Sequence, residues 1–212
     1  MTPFRSLPAS FYRRDTAVVA RALLGCRLTR RLPDGSARSV ILVETEAYLG
    51  EKDQAAHTWN GRRTARVEPM WGEGGHAYVY FVYGMHFCMN VVTRRAGVPE
   101  AVLLRAGVLE EDWNLLGKKE GEKKKISLKI NRAGGPAKLC EYLHVTTALS
   151  GVSLSGPELV LSRGPRRAFD VLVGPRVGVD YAGEAAAWPL RFAVAGCPAV
   201  TKPGGLGPFP TS

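Results

Sequence analysis

Glu44, Glu46 and Tyr48 are spaced two apart within Val-Glu-Thr-Glu-Ala-Tyr (43–48). Side chains on a strand alternate between faces, so this spacing puts both carboxylates and the phenol on one side. Val43, Thr45 and Ala47 then point to the other. A glutamate has a reference pKa of about 4.3 and is ionised at neutral pH unless heavily desolvated, so it can take a proton from water. The aromatic ring beside it can hold a flat group. The same pattern also describes an amphipathic strand carrying two solvated glutamates, and taken alone it favours that reading. His57 follows shortly, and then Tyr-Val-Tyr-Phe-Val-Tyr-Gly-Met-His-Phe-Cys-Met-Asn (78–90) turns on Gly84. At that turn Tyr83, Met85 and His86 form either a wedge for the minor groove of a duplex or a contact with a neighbouring loop. Tyr78 and Tyr80 suit the core. Together these residues could hydrolyse the bond to an extruded aromatic group with a carboxylate-activated water.

Such residues need elements to place them. Asp15 can cap a helix running to about Leu24, with Val19 and Leu23 on one face and Gly25 placed to end it. Arg27–Leu32 and Ser39–Leu49 read as strands joined by Pro33-Asp34-Gly35. Tyr78–Tyr83 and Phe87–Val92 form a predicted hairpin, Ala101–Ala106 a short buried strand, and Ala137–Leu143 a short helix behind Gly134-Gly135-Pro136. Later strands are predicted at Leu159–Leu161, Arg176–Val179 and Leu190–Val194. The irregular stretch after residue 50 carries Arg62, Arg63 and Arg66, which are phosphate contacts or solvated arginines. The lysine-rich segment Lys118–Lys129 reads as a solvated loop. Short strands arriving in hairpins outnumber helices, and no repeat or linker divides the chain. The prediction is an α+β fold: one domain over residues 1–200 with a curved, mainly antiparallel β-sheet core flanked by short helices. The Pro/Gly-rich tail, 201–212, is expected to be poorly ordered.

The 212 residues carry 29 Lys and Arg against 19 Asp and Glu, a formal charge of +10. A surplus of that size favours an acidic partner, and nucleic acid is the commonest one. The 45% hydrophobic content is that of an ordinary globular protein, with no apolar run of membrane-spanning length. The first ten residues hold no apolar signal core, so the expectation is a protein that is not secreted and keeps its thiols reduced. Cys26, Cys88, Cys140 and Cys197 are far apart, and the four histidines form no His-Glu-x-x-His pattern. Cys88 reads as a buried small hydrophobe, and neither a metal site nor a cofactor is expected.

Several motifs occur in order. They are Val-Glu-Thr-Glu-Ala-Tyr (43–48), Ala-Ala-His (55–57), Tyr-Val-Tyr (78–80), Tyr-Gly-Met-His-Phe-Cys-Met-Asn (83–90), Val-Leu-Leu-Arg-Ala (102–106), Gly-Pro-Ala-Lys-Leu-Cys (135–140), Arg-Val-Gly-Val (176–179) and Trp-Pro-Leu-Arg-Phe (188–192). From about Phe11 to Pro198 the chain resembles the alkyladenine (3-methyladenine) DNA glycosylase family, the kind without a helix-hairpin-helix. The resemblance implies a monofunctional enzyme that flips alkylated or deaminated purines (3-methyladenine, 7-methylguanine, hypoxanthine) out of double-stranded DNA, hydrolyses the N-glycosidic bond and so starts base excision repair. It implies that Glu46 is the general base, that Arg105 helps position the water, and that a main-chain carbonyl, that of Val177, holds it. Tyr48 and His57 would sandwich the flipped base, Tyr80 would close the pocket, and Asn90 at its floor would reject guanine's amino group. Tyr83 would intercalate, with Met85 and His86 on the same groove-facing hairpin. A monomer without cofactor is expected, cytoplasmic and nucleoid-associated in a bacterium or nuclear in a eukaryote. The chain departs from the family pattern at Val67, where an asparagine is usual, at His86, where some members carry tyrosine, and over 118–129. Two other readings stay open: a noncatalytic nucleic-acid-binding protein, and a bifunctional glycosylase/lyase using a lysine Schiff base.

Overall fold

The sheet forms around one long apolar segment. The computed structural model describes residues 5–116, 132–201 and 204–210, so the lysine-rich 118–129 lies outside the described residues. After α1 (Ala9–Tyr12) comes α2 (Thr16–Leu23), whose Asp15 cap accepts from the amides of Ala17 (2.9 Å) and Val18 (3.3 Å). Val19, Ala20 and Leu23 bury the inward face of α2, as their spacing predicts. β1 (Arg27–Arg31) and β2 (Ala37–Tyr48) pair through the Pro33-Asp34-Gly35 turn, where Asp34 accepts from the Ser36 amide at 2.9 Å. β3 (Ala77–Val82) and β4 (His86–Thr93) form the expected hairpin, and β5 (Glu100–Val108) follows, buried throughout. Then come α3 (Glu110–Leu115), α4 (Pro136–Leu143), β6 (Leu159–Ser162), β7 (Val171–Gly174), β8 (Arg191–Val194) and β9 (Gly207–Pro208).

The strands form one sheet in the order β3-β4-β5-β2-β8-β7-β9, with β1 also on β2 and β6 on β1, and every pairing is antiparallel. The α+β class and single antiparallel sheet follow the sequence reading. Its core is dominated by side chains with almost no exposure, among them Leu23, Leu28, Ile41, Leu104, Trp113 and Leu139. Cys88 is among the buried residues, as expected.

Two expectations differ. Arg176–Val179 is not a strand: the strand is β7, five residues earlier, and it stops before Pro175, which lacks the amide a ladder needs. In the 201–212 tail, β9 pairs with β7 through Val173↔Gly207 and Leu172↔Pro208, and Thr201 is tied to the sheet interior. Proline and glycine content argued for disorder there, yet an unpaired edge on β7 gives these residues a template.

β2 positions the site. Its β5 register runs Leu42↔Gly107, Glu44↔Ala106 and then Thr45↔Leu104, so Val43 and Arg105 fall at irregularities of the ladder. A bulge re-aims side chains. Here the Arg105 guanidinium comes to lie between the two carboxylates of β2.

Candidate active site

Both glutamates of the 43–48 segment are completely buried, so the solvated alternative is overturned. Their environments differ. Glu44 Oε1 accepts from Arg105 Nε and Arg191 Nε, each at 2.8 Å, and Glu44 Oε2 accepts from the Thr201 amide at 2.8 Å. Arg191 also donates to the Thr201 carbonyl, and Arg105 Nη2 donates to Thr201 Oγ1 at 2.9 Å. That carboxylate is fully engaged by structure.

Glu46 is held more openly. Its Oε1 accepts from the Val177 amide at 2.8 Å and lies 3.3 Å from Arg105 Nη1, while its Oε2 accepts from the Tyr48 hydroxyl at 2.9 Å. A carboxylate offers about four acceptor directions. These contacts use three, which leaves one on Oε2. Burial raises the Glu46 pKa above the ordinary carboxylate value, opposed by Arg105, the Val177 amide and the Tyr48 hydroxyl. Val177 reaches Glu46 because the chain leaves β7 at Pro175 and reverses at Gly178, whose φ of +74° is open to glycine. The resemblance assigns the Val177 carbonyl to a water; the Val177 N–H is bonded to Glu46.

Around Glu46 stands a set of rings. Tyr48 is half-buried, and Arg176 packs over its face with the guanidinium carbon 4.7 Å from the ring centroid. His57 meets Tyr80 edge-to-face at 4.6 Å between centroids, and its Nδ1 is 2.9 Å from the Tyr78 hydroxyl. Burial first, then Arg66 and Arg62, lowers the His57 pKa to about 4, so the ring is neutral at physiological pH. Burial pushes the Tyr80 hydroxyl well above its usual value, with Cys88, Tyr78 and Glu46 adding to the shift. Asn90 is buried opposite Tyr78 in the β3–β4 register and donates from Nδ2 to the Tyr78 carbonyl at 3.3 Å. Thus Glu46, Arg105, Val177 and Tyr48 are brought into direct contact, and His57, Tyr80 and Asn90 gather around Tyr78.

The hairpin tip is separate from this cluster and points outward. Tyr83 is 91% exposed and Met85 68%, with His86 exposed beside them. Tyr83 and Gly84 both have positive φ (51° and 69°), and the Met85 amide closes the turn on the Val82 carbonyl at 3.2 Å. Positive φ on a tyrosine is costly, and such strain is concentrated at functional positions. The turn therefore presents a large aromatic to solvent against both hydrophobicity and backbone preference. Of the nearby arginines, Arg63 is bound to Glu68, Arg66 lies 5.4 Å from the Tyr80 ring centroid, and Arg62 lines a cleft of about 450 Å³ with His57, Trp59 and Tyr181.

Sequence reasoning missed Asp53 and Arg176. They form a doubly hydrogen-bonded ion pair, at 2.5 and 2.9 Å, with both side chains fully buried behind Tyr48. The only available signal was Arg176 in the Arg-Val-Gly-Val motif, and its partner lies 123 residues away. Among the described residues no group of three His, Cys, Asp or Glu side chains could hold a metal ion, and no helix is long and apolar enough to cross a membrane.

Comparison with known proteins gives a consistent result. The methylpurine-DNA glycosylase family model matches residues 10–198. A curated protein of Desulfitobacterium hafniense (strain Y51) is 42% identical over 89% of this chain and 94% of its own length. One of Bacillus cytotoxicus is 42% identical and one of Bacillus cereus (strain B4264) 43%, each over 92% of this chain and 98% of the relative. All three carry the name "Putative 3-methyladenine DNA glycosylase".

Proposed function

The chain belongs to the methylpurine-DNA glycosylase family and is a DNA N-glycosylase, and on that premise we propose that it excises 3-methyladenine, 7-methylguanine and hypoxanthine from duplex DNA as a monofunctional, monomeric enzyme with Glu46 as general base. The observation that carries this reading is the buried carboxylate with one acceptor direction left, beside a half-buried tyrosine and a neutral histidine.

The geometry supports the following steps. Tyr83 fills the space left when the damaged nucleotide swings out, and Met85 and His86 contact the groove beside it. The extruded purine lies between Tyr48 and His57, with Tyr80 closing one side and Asn90 below, where its amide leaves no room for guanine's amino group. Glu46 accepts a proton from a water on its remaining acceptor direction, aided by Arg105. The water oxygen bonds to the sugar's anomeric carbon as the carbon–nitrogen bond breaks, and the electron pair leaves with the purine. The developing oxocarbenium charge is stabilised by the same carboxylate. Methylation at N3 or N7 already makes the purine a cationic leaving group, and neutral hypoxanthine requires more help. None of the described side chains grouped around Glu46 is a lysine, which supports direct hydrolysis over a Schiff base.

A duplex carrying a single lesion tests this. Free base should appear together with an intact, alkali-labile abasic strand, and borohydride should trap no adduct. Binding without release would leave only a recognition protein, and a trapped adduct would make it a lyase.

Two further expectations arise here. Substituting Tyr83→Ser should weaken binding to damaged duplex by about tenfold, since stacking on a base is worth about 1–3 kcal/mol, while nonspecific affinity changes little. Equal losses on damaged and undamaged duplex, in a direct titration, would remove the wedge. The pH dependence has a definite sign. Glu46 works deprotonated, so single-turnover release should fall as pH drops through its raised pKa, with the limb above the usual carboxylate value of 4.5. His57, with a pKa near 4, stays neutral through that range and should not set the limb. A pH–rate profile of His57→Gln tests this: the same acid limb should persist at a lower overall rate.

A further inference from the structure

Arg176 and Asp53 sit where they can act on the charge of a bound base. Besides its pairing with Asp53, Arg176 donates to the carbonyls of Ala47 and Ala185, each at 3.0 Å. Asp53 is fixed in turn by the amides of Leu49 (2.9 Å) and Ala55 (3.0 Å). Four anchors thus hold one cation against one face of Tyr48, 4.7 Å from the ring centroid. A stacking base can use only the opposite face.

An aromatic ring attracts a cation to either face, but cations on both faces repel each other through it. A base methylated at N3 or N7 is cationic; hypoxanthine and etheno adducts are neutral. With a stacking gap of about 3.5 Å, the base would lie roughly 8 Å from the Arg176 guanidinium. Across that distance, in the effective dielectric of a protein site, an uncompensated unit charge changes relative affinity by about tenfold or more. Asp53 supplies the compensation. We infer that the buried Asp53–Arg176 pair sets the charge preference of the base pocket, the Asp53 carboxylate cancelling the cation behind Tyr48 so that cationic purines can stack on its free face. Both are positioning residues that act through Tyr48. This rests on the reading that Tyr48 stacks the flipped purine.

The test is a ratio, the single-turnover release of 7-methylguanine against that of hypoxanthine or an etheno adduct, whichever neutral base the wild type releases. Asp53→Asn leaves the cation uncompensated and should lower the cationic-to-neutral ratio by about tenfold or more. Arg176→Gln leaves an anion behind the ring and should raise it. Arg176→Lys keeps the charge while losing the two-pronged pairing, and should stay near the wild-type ratio despite reduced stability. A pair with only a structural role would depress both lesions alike in every variant, and that result overturns the inference. Should Asp53→Asn fail to fold, the contrast between Arg176→Gln and Arg176→Lys decides alone. A wild-type protein that releases neither class of base would instead overturn the proposed function, so the two failures are separable.

Discussion

Changing Glu46 to Gln should slow base release by about a thousandfold, within the 10²–10⁴ range of a positioned general base, and leave binding of lesion-bearing duplex intact. The substitution suits the site. The amide oxygen can remain where Oε1 accepts from the Val177 N–H and faces Arg105, and the amide nitrogen can donate to the Tyr48 hydroxyl in place of Oε2. Shape and most hydrogen bonds survive, while the basic oxygen is lost. Arg105 keeps its other carboxylate, Glu44, so no buried cation is abandoned. Single-turnover release and lesion-duplex titration on the same preparation provide the check. Release at the wild-type rate would mean that Glu46 is not the base.

A second large effect is expected two residues away and of a different kind. Glu44→Ala removes the acceptor for Arg105, Arg191 and the Thr201 amide at once, leaving two buried guanidinium groups short of their carboxylate. Breaking a buried pair from one side costs about 3–5 kcal/mol, which for a chain of this size lowers the melting temperature by about 10 °C. Activity should fall too, because Arg105 loses the anchor that aims it at Glu46. Thermal melting distinguishes the roles: Glu46→Gln should stay within a few degrees of wild type. If Glu44→Ala melts like the wild type, the division into a structural and a catalytic carboxylate is wrong. The two glutamates share a face of one strand, and only their partners separate them.

The pocket and its support also differ in how far they could be read. Glu46, Tyr48, His57, Tyr80 and Asn90 stand in short ordered motifs and are legible from them. Their contacts are not visible there: Tyr78, which the sequence suits to the core, meets His57 through its hydroxyl. The Val177 N–H reaches Glu46 because the segment expected as a strand is the irregular turn after β7. A proline ending a strand is legible locally; where the following amide then points is not.

Local chemistry in the chain determined the elements. The Asp15 cap, the Pro33-Asp34-Gly35 turn, the Gly84 hairpin and the apolar run of β2 each act over a few residues, and each forms as its own sequence dictates. The tertiary structure alone decided which charges meet. Glu46 finds its amide 131 residues away, Arg176 finds Asp53 at 123, and Glu44 finds Thr201 at 157. Those encounters depend on strand order and on the irregularity at Val43 and Arg105. Pairing across a sheet is a property of the whole packed arrangement, because buried charges must find partners wherever the fold leaves them, and no short window of sequence carries that information.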